Sequence, residues 1–246
     1  MTEPVPSAPL APAPAPAGGW RTATVREVAH PHPRGVRLRL EVPDRVDHLP
    51  GQHYVVRLTA PDGYTAQRSY SLASSPDDPL VELYVERLDD GEVSTYLADE
   101  VGVGDAIDVR GPIGGWFVWR GDAPALGVGG GTGVVPLVAM LRHARHVGHP
   151  DRLRLAVAAR TGDDLPYGDE LRAAGAVVAL SREADASGRA AGRLRPDEVA
   201  ALVEDRGEGW TAFVCGSAGF AESATGLLTG LGVATGDVRV ERFGPS

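Results

Sequence analysis

Residues 125–136 run Ala125-Leu126-Gly127-Val128-Gly129-Gly130-Gly131-Thr132-Gly133-Val134-Val135-Pro136, and a helical pattern, Leu137-Val138-Ala139-Met140-Leu141-Arg142-His143, follows directly. A short apolar run, a glycine turn and then a helix start make a ready anion site. Glycines let the backbone pass close to a phosphate, and the first helical amides and the positive end of the helix dipole face it. Taken alone, the run also serves as a plain strand-to-helix turn. The rest of the chain separates the two readings.

Downstream of it the pattern alternates strand and helix. Strands are expected at Ala125–Val128, Leu153–Ala159, Val177–Leu180, Ala212–Cys215 and Val238–Glu241, and helices at Val134–His146, Tyr167–Ala174, Pro196–Val203 and Gly219–Leu231. Apolar strands alternating with amphipathic helices predict a doubly wound parallel sheet of five strands. Upstream, apolar residues recur with period two in short segments: Thr22–Val28, Val36–Val42, Gln52–Leu58, Arg68–Ala73, Leu80–Arg87, Ala106–Val109 and Trp116–Trp119. Gly, Pro and Asp punctuate them, and one helix is expected at Ser94–Val101 with Ser94 as its N-cap. Short strands at this spacing form an antiparallel barrel or sandwich. The chain therefore divides into an Ala/Pro-rich disordered tail (1–19), a barrel domain (20–120) and an α/β domain (121–246).

Composition narrows the function. With 43% hydrophobic and 23% charged residues the chain has an ordinary globular makeup. A net charge of −9 speaks against a broad grip on nucleic acid or on an anionic membrane. All positive side chains are Arg, and Cys215 is the single cysteine. One thiol supports neither a disulfide framework nor an internal iron–sulfur cluster, which needs about four. No apolar run approaches the roughly 20 residues of a membrane span. The N-terminus lacks the order of a signal peptide, so the expected location is the cytoplasm.

Three constellations carry chemistry. On a barrel strand, Arg68-Ser69-Tyr70-Ser71 places a phosphate-gripping fork and a stacking ring on one face and two hydroxyls on the other. An exposed strand with a polar face is the bland alternative. Gly91-Glu92-Val93-Ser94 offers a glycine turn before free helix amides, although a capped connector would read the same. The third is the glycine stretch, now on the first crossover of the α/β domain. Ligands of open parallel sheets bind beyond the carboxyl ends of the strands. That draws in Ala159-Arg160-Thr161, Leu180-Ser181-Arg182 and Cys215-Gly216-Ser217. Ser181 and Arg182 suit a 2′-phosphate, and the acidic residue that marks NAD sites about 20 residues past the glycines is not apparent.

In order along the chain, Gly51-Gln52, Arg68-x-Tyr70-Ser71, Gly91-x-x-Ser94, Gly111-Pro112, Gly130-Gly131-Thr132-Gly133-x-x-Pro136, Cys215-Gly216 and Glu241-Arg242-Phe243 resemble the ferredoxin–NADP⁺ reductase superfamily over nearly the whole chain after the tail. Within it, the chain is most similar to stand-alone bacterial flavin reductase modules without a fused iron–sulfur domain. The resemblance implies an antiparallel Greek-key barrel that holds FAD, with FMN the less favoured flavin, and an α/β domain that holds NADPH in preference to NADH. Arg68, Ser69, Tyr70, Ser71, Val85, Arg87, Gly91, Val93, Ser94 and Phe243 would contact FAD, with Arg68 on its pyrophosphate and Phe243 stacked on its ring system. Gly130, Gly131, Thr132, Gly133 and Gly216 would hold the nicotinamide cofactor, and Arg160, Ser181 and Arg182 its adenosine end. Ser71, near the flavin N5, and Cys215, near the nicotinamide C4, would be the catalytic pair.

The implied activity is an NAD(P)H-dependent flavoprotein reductase. Hydride passes to the flavin, and electrons then leave singly to an external carrier such as a ferredoxin or an oxygenase iron–sulfur component. Alternatives are a diaphorase acting on free flavin, iron chelates or oxygen, and a flavin-binding subunit of a larger complex. A monomer with no metal, nucleic-acid or membrane partner is expected. Two departures from the family pattern stand out: Ser217 follows Cys-Gly where Pro is common, and Glu86 occupies a place where a basic residue is common. His143, His146 and His149 recur at a spacing of three, but a solvated helix end accounts for them better than a metal does. His30-Pro31-His32-Pro33 reads as a rigid turn.

Overall fold

The structure is a computed structural model that describes residues 19–204 and 206–244. Most of the expected N-terminal tail lies outside these residues. The first domain is a six-stranded antiparallel sheet built from β1 (Arg21–His32), β2 (Gly35–Glu41), β3 (His53–Thr59), β4 (Thr65–Ser71), β5 (Val81–Glu86) and β6 (Ala106–Ile113). The strand order is β4-β3-β6-β1-β2-β5, and a bridge between Leu72 and Leu83 joins the two edges into a barrel. Inward residues from alternate positions, among them Val25, Leu38, Leu40, Val56, Leu83 and Val109, fill the interior. Helix α1 (Glu92–Asp99) adds Val93 and Leu97 to the same core.

The second domain holds β7 (Ala125–Gly130), α2 (Val135–His146), β8 (Leu153–Ala159), α3 (Gly168–Ala173), β9 (Val177–Leu180), α4 (Pro196–Val203), β10 (Thr211–Gly216), α5 (Ala218–Gly230) and β11 (Val238–Arg242). All pairings are parallel, in the order β11-β10-β7-β8-β9. Strand alternation supplies two cores. Leu155, Val157, Phe213 and Cys215 pack under α2 and α3, while Leu126, Val128, Ala212 and Val214 pack under α4 and α5. The chain reverses direction across the sheet between β7 and β10. That switch point is where ligands of such sheets bind.

Four expectations need correction. Residues 116–119 form no strand: Phe117 and Trp119 turn away from the barrel and enter the α/β core, and Arg239 on β11 donates to the carbonyls of Trp116 and Val118 at 3.2 and 3.0 Å. The barrel-to-sheet connection is thus part of the second domain's packing. His30-Pro31-His32 is no turn but the end of β1, beside a register shift between Ala29 and His32, where a strand tolerates proline. Ser94 is not the N-cap of α1. That position is Gly91, and Ser94 lies one turn inside, its hydroxyl donating to the Gly91 carbonyl and accepting from the Leu88 amide, both at 3.2 Å. The glycine stretch enters α2 through an added 3-10 turn, Gly131–Val134.

Candidate functional site

The two glycine-led motifs lie in different domains: the Gly130–Thr132 turn lines a cleft that the barrel reaches through Glu86, while the Gly91 turn and Arg68–Ser71 lie on the barrel outside that lining. On the barrel side, β4 is a sheet edge, which leaves Arg68 and Ser69 exposed and Tyr70 and Ser71 half-buried. Tyr70 packs on the barrel core, and burial raises its hydroxyl pKa, so it is a neutral hydrogen-bonding group at any ordinary pH. The Arg68 guanidinium donates to the Gln67 carbonyl at 2.7 Å and has no carboxylate partner among the described residues. Helix α1 packs beside β4, and the Tyr64 hydroxyl donates to Glu92 at 3.2 Å across that contact. No side chain caps the first amides of α1. An unpaired guanidinium beside uncapped amides is a donor set suited to a diphosphate.

The structure separates two of the residues expected here from that surface. Val85 is wholly within the barrel core, so only its main chain can meet a ligand. Arg87 is engaged with Asp99 at 3.0 Å and Asp89 at 3.3 Å. Glu86, at the exposed end of β5, is the side chain that points into the cleft.

On the α/β side a cleft of about 580 Å³ opens along the carboxyl ends of β7, β8, β9 and β10. Gly130, Gly131, Thr132, Arg160, Ser181 and Phe243 are among the residues that line it. The Thr132 hydroxyl lies 3.5 Å from the Glu86 carboxylate, so the glycine turn touches the barrel domain. Gly133 is required by close approach: a Cβ there would sit 2.2 Å from the Cys215 carbonyl oxygen. At Gly130 a Cβ would strike the Phe220 ring at 2.5 Å. Part of the glycine content therefore makes room for a protein side chain. Ser217 caps α5, its hydroxyl accepting from the Phe220 amide at 3.4 Å, which fixes that ring in the crevice.

Arg182, Gly133, Cys215 and Gly216 do not line the cleft. Arg182 is exposed beside it, and Arg193, from the loop between β9 and α4, is the second arginine in the lining with Arg160. Periodicity could not find Arg193, because a loop position has no register. Cys215 is fully buried, and burial, with the nearby Glu241 carboxylate adding to it, pushes its thiol well above the usual range. Its strand partner is Glu241, on β11. Burial raises the Glu241 carboxyl, and its Oε2 is buried without a hydrogen-bond partner. A half-buried carboxyl on β11 thus stands beside a buried thiol on β10, both behind the cleft lining. Phe243 follows directly, half-exposed in the cleft mouth, with its amide donating to the Gly216 carbonyl at 3.2 Å.

Among the described residues no group of acidic, histidine or cysteine side chains is arranged to hold a metal. His143 and His146 are spent elsewhere, on the Arg120 carbonyl and on Asp77. No helix among them is long and apolar enough to cross a membrane.

Comparison with known proteins bears on this geometry. Residues 24–118 match the oxidoreductase FAD-binding domain and residues 128–225 the oxidoreductase NAD-binding domain. The reductase component of a naphthalene 1,2-dioxygenase/salicylate 5-hydroxylase system from Ralstonia sp, a ferredoxin–NAD(P)⁺ reductase, is 29% identical over 218 residues, 85% of this chain. The chain spans 65% of that relative's own length. Among solved structures, the Amycolatopsis cytochrome P450 reductase GcoB is 28% identical with a TM-score of 0.75, over 93% of this chain and 71% of that one. A Neisseria gonorrhoeae ferredoxin NADP⁺ reductase solved with FAD and NADP shares the fold at a TM-score of 0.78 and 19% identity, over 91% of this chain and 98% of that one.

Proposed function

This chain belongs to the ferredoxin–NADP⁺ reductase superfamily, and from that membership we propose that it is an NAD(P)H-dependent flavoprotein reductase that feeds single electrons to an oxygenase system. The observation that supports the reading is a cleft at the carboxyl ends of the parallel strands, lined by the Gly130–Thr132 turn and reached by Glu86 of the barrel, with the unpaired Arg68 on β4 next to the uncapped helix α1 in the barrel domain. FAD would supply the chemistry, taking up two electrons as hydride and releasing them one at a time. The chain's own residues bind and orient. Arg68 and the amides of Glu92, Val93 and Ser94 hold the FAD diphosphate, while Tyr70 and Ser71 lie along β4 toward the ring end. The Gly130–Gly133 backbone and Thr132 hold the diphosphate of the nicotinamide cofactor. Phe243 covers the cleft mouth and excludes water, and Cys215 stands behind the β10 end as a buried thiol that burial keeps protonated.

NADPH is the favoured donor. Ser181, Arg160 and Arg193 line the same end of the cleft, and no carboxylate partner holds either arginine among the described residues. Asp164, also in the lining, is held by the Thr161 hydroxyl at 2.9 Å. The one-electron acceptor comes from outside this sequence, whose single cysteine cannot build a cluster. The relatives' pairing with oxygenase systems makes a ferredoxin or an oxygenase component the favoured acceptor. The test is purification and titration with FAD, followed by NADPH oxidation coupled to a one-electron acceptor. A yellow protein that reduces the acceptor in an FAD-dependent manner is expected. Failure to bind FAD would refute the proposal.

A further inference from the structure

At the domain interface, outside the lining of the cleft, a partly buried charge cluster ties the two domains together. Glu82 of β5 is nearly inaccessible, its side chain 6% exposed. Its carboxylate accepts from Arg142 Nη1 at 2.9 Å and from the Tyr167 hydroxyl at 2.8 Å, both from the α/β domain. The same Arg142 nitrogen donates to the Ala73 carbonyl at 3.0 Å. On its other edge Arg142 forms a fork with Glu170, Nε to Oε1 at 3.0 Å and Nη2 to Oε2 at 2.8 Å. Burial works against the Arg142 charge, but the bonds and charges of Glu170 and Glu82 more than offset it and hold the guanidinium firmly protonated.

The position of this cluster is what gives it a consequence. Ala73 lies two residues beyond Ser71, the end of the barrel motif. Arg142 sits on α2, whose first residue, Val135, leaves the glycine turn and packs against Ala73 and Tyr84. Seven residues of helix, about 10 Å, separate Val135 from Arg142. Helix α2 is thus fixed to the barrel at two points: an apolar one beside the glycine turn and an ionic one two turns away. A two-point attachment sets both the distance and the tilt between the domains.

We propose that Arg142, acting through Glu82 and Ala73, is a positioning residue for hydride transfer: it fixes the tilt of the nucleotide-binding turn relative to the Arg68–Ser71 strand. Misplacement of reacting atoms by roughly 1 Å can cost on the order of 100-fold in rate. Loss of one of two attachment points leaves room for a displacement of that kind without removing any group that touches either cofactor. This inference rests on the reductase reading.

The experiment is anaerobic stopped-flow reduction of the FAD-loaded protein by NADPH, comparing wild type with Arg142→Met, Arg142→Lys and Glu82→Gln. The limiting bleaching rate per bound flavin is expected to fall at least about tenfold in Arg142→Met, with the nucleotide Kd and FAD content nearly unchanged. Arg142→Lys, which keeps one donor to Glu82, should recover part of the rate. Arg142→Met combined with Glu82→Gln should be no slower than the worse single variant, since both break one unit. The transient nicotinamide–flavin absorbance should weaken in step with the rate. A limiting rate per bound flavin within twofold of wild type, with only a lowered Tm, overturns the proposal. Where Arg142→Met does not fold, Arg142→Lys and Glu82→Gln are judged by the same criterion. Wild-type protein that binds FAD but does not bleach overturns the reductase reading and the proposal with it.

Discussion

Helices α1 and α2 both begin after a glycine turn, yet they are prepared for a ligand in different ways. At α2 the turn is buried in the α/β domain: Gly133 lies against the Cys215 backbone, and Phe220 fills the space beside Gly130. Its shape is set by main chain on main chain and is fixed before any ligand arrives. At α1 the turn is exposed and uncapped, and the neighbouring cation, Arg68, is an unpaired side chain on a sheet edge. One donor set is preformed by backbone and the other is supplied by a side chain beside free amides. The preformed turn should respond most to steric change, and the exposed one most to loss of its neighbouring charge.

Adding one methyl group to each turn tests the contrast most severely. A Cβ at Gly133 meets the Cys215 carbonyl oxygen at 2.2 Å, whereas at Gly91 it meets the Ser94 hydroxyl at the same distance. The hydroxyl can rotate away, leaving Leu88 Cβ at 2.9 Å to shift in an exposed turn, but the Cys215 carbonyl and the Gly216 amide nitrogen at 2.8 Å are main chain at the end of a buried strand. Gly133→Ala should cost about 3 kcal/mol in denaturant unfolding and Gly91→Ala about half of that. Equal losses would remove the distinction. Next in size is Arg68→Ala, which should raise the FAD Kd about tenfold to 100-fold in fluorescence titration, as expected for losing a charge-assisted bond. An unchanged Kd would leave the α1 amides as the whole diphosphate site.

A smaller, selective effect is expected in the cleft. Arg193→Ala should lower kcat/KM for NADPH about tenfold and leave NADH within twofold, because only one of the two carries a 2′-phosphate. A parallel loss with both nucleotides would assign Arg193 to something other than that phosphate. The smallest effect concerns pH. Burial raises the folded-state pKa of Glu241 above its unfolded value. The neutral carboxyl therefore stabilises the fold at low pH, and that stability is lost as pH rises through the folded pKa. Glu241→Gln, which cannot ionise, should gain Tm relative to wild type as pH increases above the usual carboxylate range; a pH-independent difference would contradict the assignment.

The sequence carried the α/β domain further than the barrel, for a physical reason. Strands such as Leu153–Ala159 and Val177–Leu180, and helix Pro196–Val203, fell where the apolar pattern put them, because each is buried on predictable faces. The misreadings lie where local pattern gives way to tertiary packing. Phe117 and Trp119 alternate like a strand but pack into the neighbouring domain, and Ser94 has a capping side chain but sits inside the helix that Gly91 begins. Within the cleft lining, Arg160 and Ser181 were reached from the strand ends, whereas Arg182, Cys215 and Gly216, named by the same rule, are not in it. Arg193, brought in by a loop, and Arg142, whose partners are 60 and 28 residues away, were not legible.

The central claim is hydride transfer between the cofactors held by these two donor sets. It is tested most directly by mixing the FAD-loaded protein anaerobically with NADPH and with its 4-deuterated form, following the flavin absorbance through a single turnover. The account predicts complete bleaching that slows when the transferred hydrogen is deuterium. Flavin that binds but stays oxidised with both NADPH and NADH would contradict it.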